Sequence, residues 1–151
     1  MTDPDEPSRF WKASGLVDRS KVCLAVYGEL LEPGDVSALL QCEPSRILRK
    51  GDVHHGRALS RSAWFLEVEG AAPVGPEELL DRLLARLPED PAVWSQLGER
   101  FEVQWRITMR IAEISRGFEL SADMQRRLAP LQVPLQFDFY PNEAEDEEEE
   151  E

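Results

Sequence analysis

The sequence predicts an α+β domain in which a mostly antiparallel sheet of about five strands carries helices packed on one face. Three observations support this. Residues 101–111 alternate without a miss, setting Phe101, Val103, Trp105, Ile107, Met109 and Ile111 against Glu102, Gln104, Arg106, Thr108 and Arg110, the pattern of a strand with one dry and one wet side. Residues 77–87 instead place Leu79, Leu80, Leu83, Leu84 and Leu87 at helical spacing, a broad apolar stripe. Between such runs, prolines, glycines and short polar side chains stand where one period stops and another starts.

Taken in order, Val22 to Gly28 is the first strand. Val22, Leu24 and Val26 alternate with Cys23, Ala25 and Tyr27, apolar enough on both sides for a central position. Glu32-Pro33 opens a helix with its φ already set, Val36, Leu39 and Leu40 form its stripe, and Glu43-Pro44-Ser45 ends it. Arg46 to Val53 reads as a weaker strand, whose Arg46, Arg49 and Lys50 would guard an exposed edge. Ser62 to Gly70 is a strand with Trp64, Leu66 and Val68 on one side and Phe65, Glu67 and Glu69 on the other. The leucine-rich helix follows and stops at Pro88, with Glu78 four residues before Arg82 in the favourable order. Asp90-Pro91 starts a short helix to about Gly98, with Val93, Trp94 and Leu97 facing inward. After the long alternating strand, Ser121 caps a helix carrying Met124, Leu128 and Leu131, and Val133, Leu135, Phe137 and Phe139 form the last strand. Pro134 within that run places it at an edge or where its missing amide is not needed. This order suggests a ferredoxin-like βαββαβ core plus an extra αβ unit.

At 151 residues the chain is long enough for one core, and its 42% apolar and 31% charged content is that of a globular protein. We divide it into a flexible N-terminal arm at 1–12, a single domain at 13–141 and a disordered acidic tail at 142–151. Phe10 and Trp11 would pin the arm to the body. Of the thirty acidic residues, eight lie between Glu143 and Glu151, so the formal charge of -13 becomes -5 without them, 22 acidic against 17 basic. Such a run repels itself and brings no apolar group to pack. The body shows no basic patch for a phosphate backbone, no apolar run long enough for a membrane, and no basic, apolar start of a secretion signal. With Cys23 and Cys42 both among apolar residues, two reduced thiols and a cytoplasmic location are expected.

Several short motifs point to a family. Tyr27-Gly28, Leu31 with Pro33, Val36-Ser37, Leu39-Leu40, Glu43-Pro44-Ser45, Lys50-Gly51, Trp64 with Glu67, Phe118-Glu119-Leu120-Ser121 and Phe137-Asp138-Phe139-Tyr140 resemble the bacterial family called domain of unknown function 4279. The resemblance spans about Val22 to Tyr140. It implies no activity, and the matched residues read as scaffold: Gly28, Pro33, Pro44 and Gly51 at element ends, Trp64 in the core. Residues 110–116 depart from it in lacking glycine, and the acidic tail lies outside it.

No catalytic, cofactor or metal site is expected. Asp52, His54 and His55 are the one histidine cluster, but neighbouring residues in an extended chain point apart, whereas zinc needs three or four converging ligands. The glycines are scattered singly, without a phosphate-cradling motif, and no Ser or Cys stands in a strand-to-helix elbow. The wet sheet face is the candidate partner-binding surface. It collects Phe65, Glu67, Glu69, Gln104, Arg106, Arg110 and Asp138, with Gln136 beside them, and Arg and Phe would be its anchors. The expected function is a non-enzymatic, protein-binding module, of immunity or regulatory type, that masks a basic partner. The alternative is a small-molecule-binding or enzymatic domain whose Trp64, Trp94 and Trp105 line a pocket between helix and sheet. A structural subunit of a larger assembly is a third reading.

Overall fold

The computed structural model describes residues 17–111 and 117–141. The N-terminal arm, the 112–116 segment and the acidic tail lie outside the described residues. Among the described residues seven strands run in chain order: β1 (Arg19–Gly28), β2 (Arg46–Leu48), β3 (Val53–His54), β4 (Arg57–Ala58), β5 (Ser62–Ala71), β6 (Glu102–Ile111) and β7 (Leu135–Pro141). Four helices accompany them: α1 (Pro33–Leu40), α2 (Pro76–Leu84), α3 (Pro91–Arg100) and α4 (Ala122–Leu128), the last continued by a 3₁₀ turn at Ala129–Leu131.

Five strands form one mixed sheet in the order β2-β5-β1-β6-β7. The pairs β1/β5, β1/β6 and β2/β5 are antiparallel, and β6/β7 is parallel. The fold is thus α+β, with β1 central and helices covering one face. The register aligns Val22 with Val68 and Ile107, Leu24 with Leu66 and Trp105, and Val26 with Trp64 and Val103. These apolar rows lie under α1, α2 and α3: α2 packs over β5 and β1, α1 over β5 and α3, and α3 over β6. Leu79, Leu80 and Leu83 of α2, Val36 and Leu40 of α1, and Trp94 and Leu97 of α3 are buried there. Each such side chain removed from water contributes roughly 1.5–3 kcal/mol.

Local chemistry sets the element ends. Pro33, Pro76 and Pro91 each open a helix. The Asp90 side chain accepts from the Ala92 amide, and Ser121 Oγ accepts from the Met124 amide at 3.1 Å. The Ser121 amide and hydroxyl also donate to the Glu77 carboxylate, at 2.6 and 2.8 Å, which ties the start of α4 to the first turn of α2. At the end of β1, an added Cβ on Gly28 would stand 2.9 Å from the Phe101 ring, so glycine is needed for that approach.

Several boundaries differ from the sequence expectation, three of them for a local reason. The segment expected as one strand from Arg46 to Val53 is an edge strand of three residues followed by the β3–β4 hairpin. His55 and Gly56 at its tip both have positive φ, the conformation of a two-residue hairpin turn. The leucine helix leaves α-geometry at Leu84, and Leu87 is buried by a tighter final turn. The last strand begins at Leu135 because Pro134 has no amide; its carbonyl accepts from the Trp105 amide instead.

Trp64, Trp94 and Trp105, expected in the alternative reading to line a pocket, are 0–2% exposed and fill the helix-side core. Trp64 Nε1 donates to Ser37 Oγ and Trp94 Nε1 to the Pro88 carbonyl. No helix among the described residues is long and apolar enough to cross a membrane.

Candidate functional site: the open face of the sheet

Side chains that alternate with the helix-side rows project from the other face. The register sets Cys23 of β1 beside Glu67 of β5 and Arg106 of β6, and Lys21 beside Glu69 and Thr108. At the outer edge Arg106 aligns with Gln136 and Arg110 with Tyr140, so Gln136, Asp138 and Tyr140 of β7 join the same face. All seven residues expected at the partner surface, Phe65, Glu67, Glu69, Gln104, Arg106, Arg110 and Asp138, therefore share this side of the sheet.

Their depths differ. Phe65, expected as an exposed aromatic anchor, is 1% exposed. The Arg46 guanidinium carbon sits 4.2 Å from its ring centroid, and Tyr27 meets it edge-on at 5.8 Å. Together with Cys23, Ala25 and Ala63 it forms a second, smaller apolar cluster beneath a charged layer. Arg61 covers Tyr27 in the same way, 4.4 Å from its ring. Long cationic side chains lay their stems on apolar surface and keep their heads wet, so alternation in sequence gives the side of the sheet and not the depth.

Above this cluster lies a concavity of about 200 Å³. Five cations line it, Arg19, Lys21, Arg46, Arg106 and Arg110, against two carboxylates, Glu67 and Glu69; Cys23, Thr108 and Tyr140 are also on its wall. Glu67 is held between Lys21 Nζ at 3.7 Å and Arg46 Nε at 3.3 Å. Arg106 reaches Asp138 at 3.5 Å and hydrogen-bonds with the Tyr27 hydroxyl. Arg110 lies 5.1 Å from the Tyr140 ring centroid. In a chain of net charge -13 the concavity is locally cationic.

Cys23 forms part of its floor. Burial, reinforced by the Glu67 carboxylate, pushes its thiol up from 9.0 to about 12, so at neutral pH it is a protonated small hydrophobe and not a nucleophile. Burial likewise pushes the Tyr27 hydroxyl above its ordinary range. What the wall offers is a set of guanidinium and ammonium donors, suited to carboxylate or other oxyanion groups.

Arg19, Lys21 and Tyr140 were absent from the expected surface. Strand β1 begins three residues earlier than Val22, and extending its alternation backward from Cys23 reaches Lys21 and Arg19 on the open side. His54 and His55, the other candidates from sequence, lie in the β3–β4 hairpin, a separate two-stranded sheet, and do not line the concavity. Among the described residues no group of three or more His, Cys, Asp and Glu is placed to hold a metal ion.

No curated protein and no solved structure matches this chain. A family model does, over residues 18–142, and its span takes in every strand and helix that builds the open face. The chain belongs to the family described as Domain of unknown function (DUF4279).

Proposed function

We propose that this protein is a non-enzymatic binding module that docks a protein partner on the open face of its sheet. The supporting observation is the cation-lined concavity on the side that no helix of the described residues covers, five positive groups around two carboxylates above a thin apolar cluster. A broad face of this kind supplies arginine and aromatic contacts while its charges set register and orientation. Its biological form is a regulatory or immunity-type protein that acts by covering part of its partner.

Net charge alone suggests a basic partner. The local balance of this face favours the opposite, a partner segment that brings carboxylates to Arg19, Lys21 and Arg110. The acidic remainder of the surface would then orient the approach over longer distances. Full-length tagged protein in its native lysate tests this directly. Reversal of the open face, Lys21→Glu with Arg110→Glu, is expected to release the captured partner, while reversal on the helix side, Arg82→Glu with Arg86→Glu, retains it. Capture that ignores the open-face reversal, or none at any ionic strength, overturns the assignment.

A further inference from the structure

We infer that a second copy of this chain docks along β7, its own β7 lying antiparallel alongside as the next strand of a shared sheet. The inference goes beyond the open-face assignment, since it concerns the outer edge of the sheet and its helix side. Four observations carry it.

The first is the phase of the backbone. β7 ends the sheet order. The Trp105 amide donates to the Pro134 carbonyl, and in a parallel ladder that phase turns the amides and carbonyls of Gln136, Asp138 and Tyr140 toward β6. Those of Leu135, Phe137 and Phe139 therefore point outward, with Pro134 and Pro141 bounding the run. The second is the lack of a guard. The opposite edge, β2, is three residues long and carries Arg46. β7 runs for seven residues with no lysine or arginine, and its one charge, Asp138, is met by Arg106 at 3.5 Å. Edges that must stay single are blunted by charges, prolines or bulges.

The third is apolar surface. Phe137 and Phe139, on the helix side of β7, are 38% and 56% exposed, and the Phe118 ring supports Phe137 at 5.6 Å between centroids. Where β7 begins, Leu120, Leu128, Val133 and Leu135 line an apolar concavity of about 520 Å³. The fourth is that these parts complement one another about a two-fold axis through Phe137. That register matches outward amides with outward carbonyls. It sets Phe139 of one copy opposite Leu135 of the other, at the mouth of the apolar concavity, and repeats the contact by symmetry. On the open side it sets Asp138 opposite Gln136, an acceptor against a donor. A two-fold axis through Asp138 would bring two carboxylates face to face. A contact one strand wide falls at the small end of specific interfaces, below about 1,200 Å² in total, so the dimer is reversible and concentration-dependent.

Sedimentation of the full chain from micromolar to millimolar concentration tests this. Monomer should pass to dimer. A chain of net charge -13 repels its copy, so Kd should fall as ionic strength rises from about 0.01 M to about 0.15 M, which shortens screening from about 30 Å to about 8 Å. Phe139→Lys should weaken the dimer at least tenfold and hardly move the melting temperature of the dilute monomer. Gln136→Lys, opposite the second copy's Asp138 in this register, should tighten the dimer several-fold, and Gln136→Glu should weaken it. In a Cys42→Ser background, with Cys23 only 6% exposed, Phe137→Cys should give a disulfide-linked dimer on mild oxidation, because Cα atoms of a hydrogen-bonded pair lie about 5.5 Å apart. Phe139→Cys should not. Lys21→Gln, on the open face, should leave the dimer unchanged. A chain that stays monomeric at millimolar concentration overturns the inference, and gives the edge to some other occupant. So does a dimer that is loosened by salt, indifferent to Phe139→Lys or to the Gln136 variants, or cross-linked through 139 instead of 137. Partner capture on the open face reads a different surface and stands or falls separately.

Discussion

On the helix side of the sheet, Trp64, Leu66, Trp105 and Ile107 are sealed by three helices; on the other side, Ala25, Phe65 and Tyr27 are sealed by the side chains of Arg46, Arg61 and Arg106. Both sets are buried. The first is closed by rigid, mutually packed elements, and its cost of opening is close to that of unfolding. The second is closed by side chains with several rotamers, each held by contacts that solvent and salt weaken. A face sealed in this second way stays dry in the free protein and still rearranges when another surface arrives.

The comparison can be broken in four places. The largest effect concerns whether the arginine-covered side excludes solvent as well as the helices do. From the rise in thiol pKa from 9.0 to about 12, Cys23 should react with a thiol reagent in native protein about a thousandfold more slowly than an ordinary exposed cysteine. Reagent counting should find both cysteines after unfolding in guanidinium; rapid native labelling of Cys23 would show the seal to be leaky. The same raised pKa fixes a pH dependence. The folded state holds this proton more tightly than the unfolded state, so the stabilisation is complete below pH 9.0 and is lost as pH rises toward about 12. Tyr27 adds in the same direction. Melting curves from pH 8 upward should therefore fall less steeply for Cys23→Ala than for the parent chain.

Next in size, Leu66→Ala on the helix side should cost about 3–5 kcal/mol by chemical denaturation, because the packed helices cannot collapse into the space. Phe65→Ala, one residue away on the open side, deletes more atoms but should cost only about 2–3 kcal/mol, since Arg46 and Tyr27 can settle into the vacancy. Equal or reversed costs would mean that the two seals are mechanically alike. The smallest effect is Arg46→Ala, about 1 kcal/mol, made up of lost ring cover and a part-exposed ion pair with Glu67, and reduced at high salt only in its ionic share.

Much of this frame was legible in the residues, and the reasons it stopped where it did are physical. The alternation of 102–111 is set by the strand period, which one dry face imprints directly, so β6 and its two sides were readable. Proline at 33, 91 and 134 and the caps at Asp90 and Ser121 act through their own backbone chemistry and were readable too. Strand order was not, because β1 pairs with β5 and β6, far along the chain, and periodicity says nothing about which neighbour a strand selects. The β3–β4 hairpin, which runs from the end of the expected edge strand at Val53 through a stretch read as a polar loop, was missed, since His55 adopts a positive φ that its identity does not announce. At the candidate site the correct side was assigned to all seven residues. Their local charge balance was not, because Arg19, Lys21 and Arg46 come to Arg106 and Arg110 only through three antiparallel pairings among four strands.

The parallel pairing of β7 with β6 has a practical side. Because β1 starts and β7 finishes in the row that joins Arg19, Arg110 and Tyr140, both outer ends of the described sheet lie at the rim of that surface, and a label placed on either of them would crowd it. The His55-Gly56 hairpin tip lies beyond the opposite end of the strands, where β5 begins, which makes it the place to insert an epitope or fluorophore without obstructing that surface.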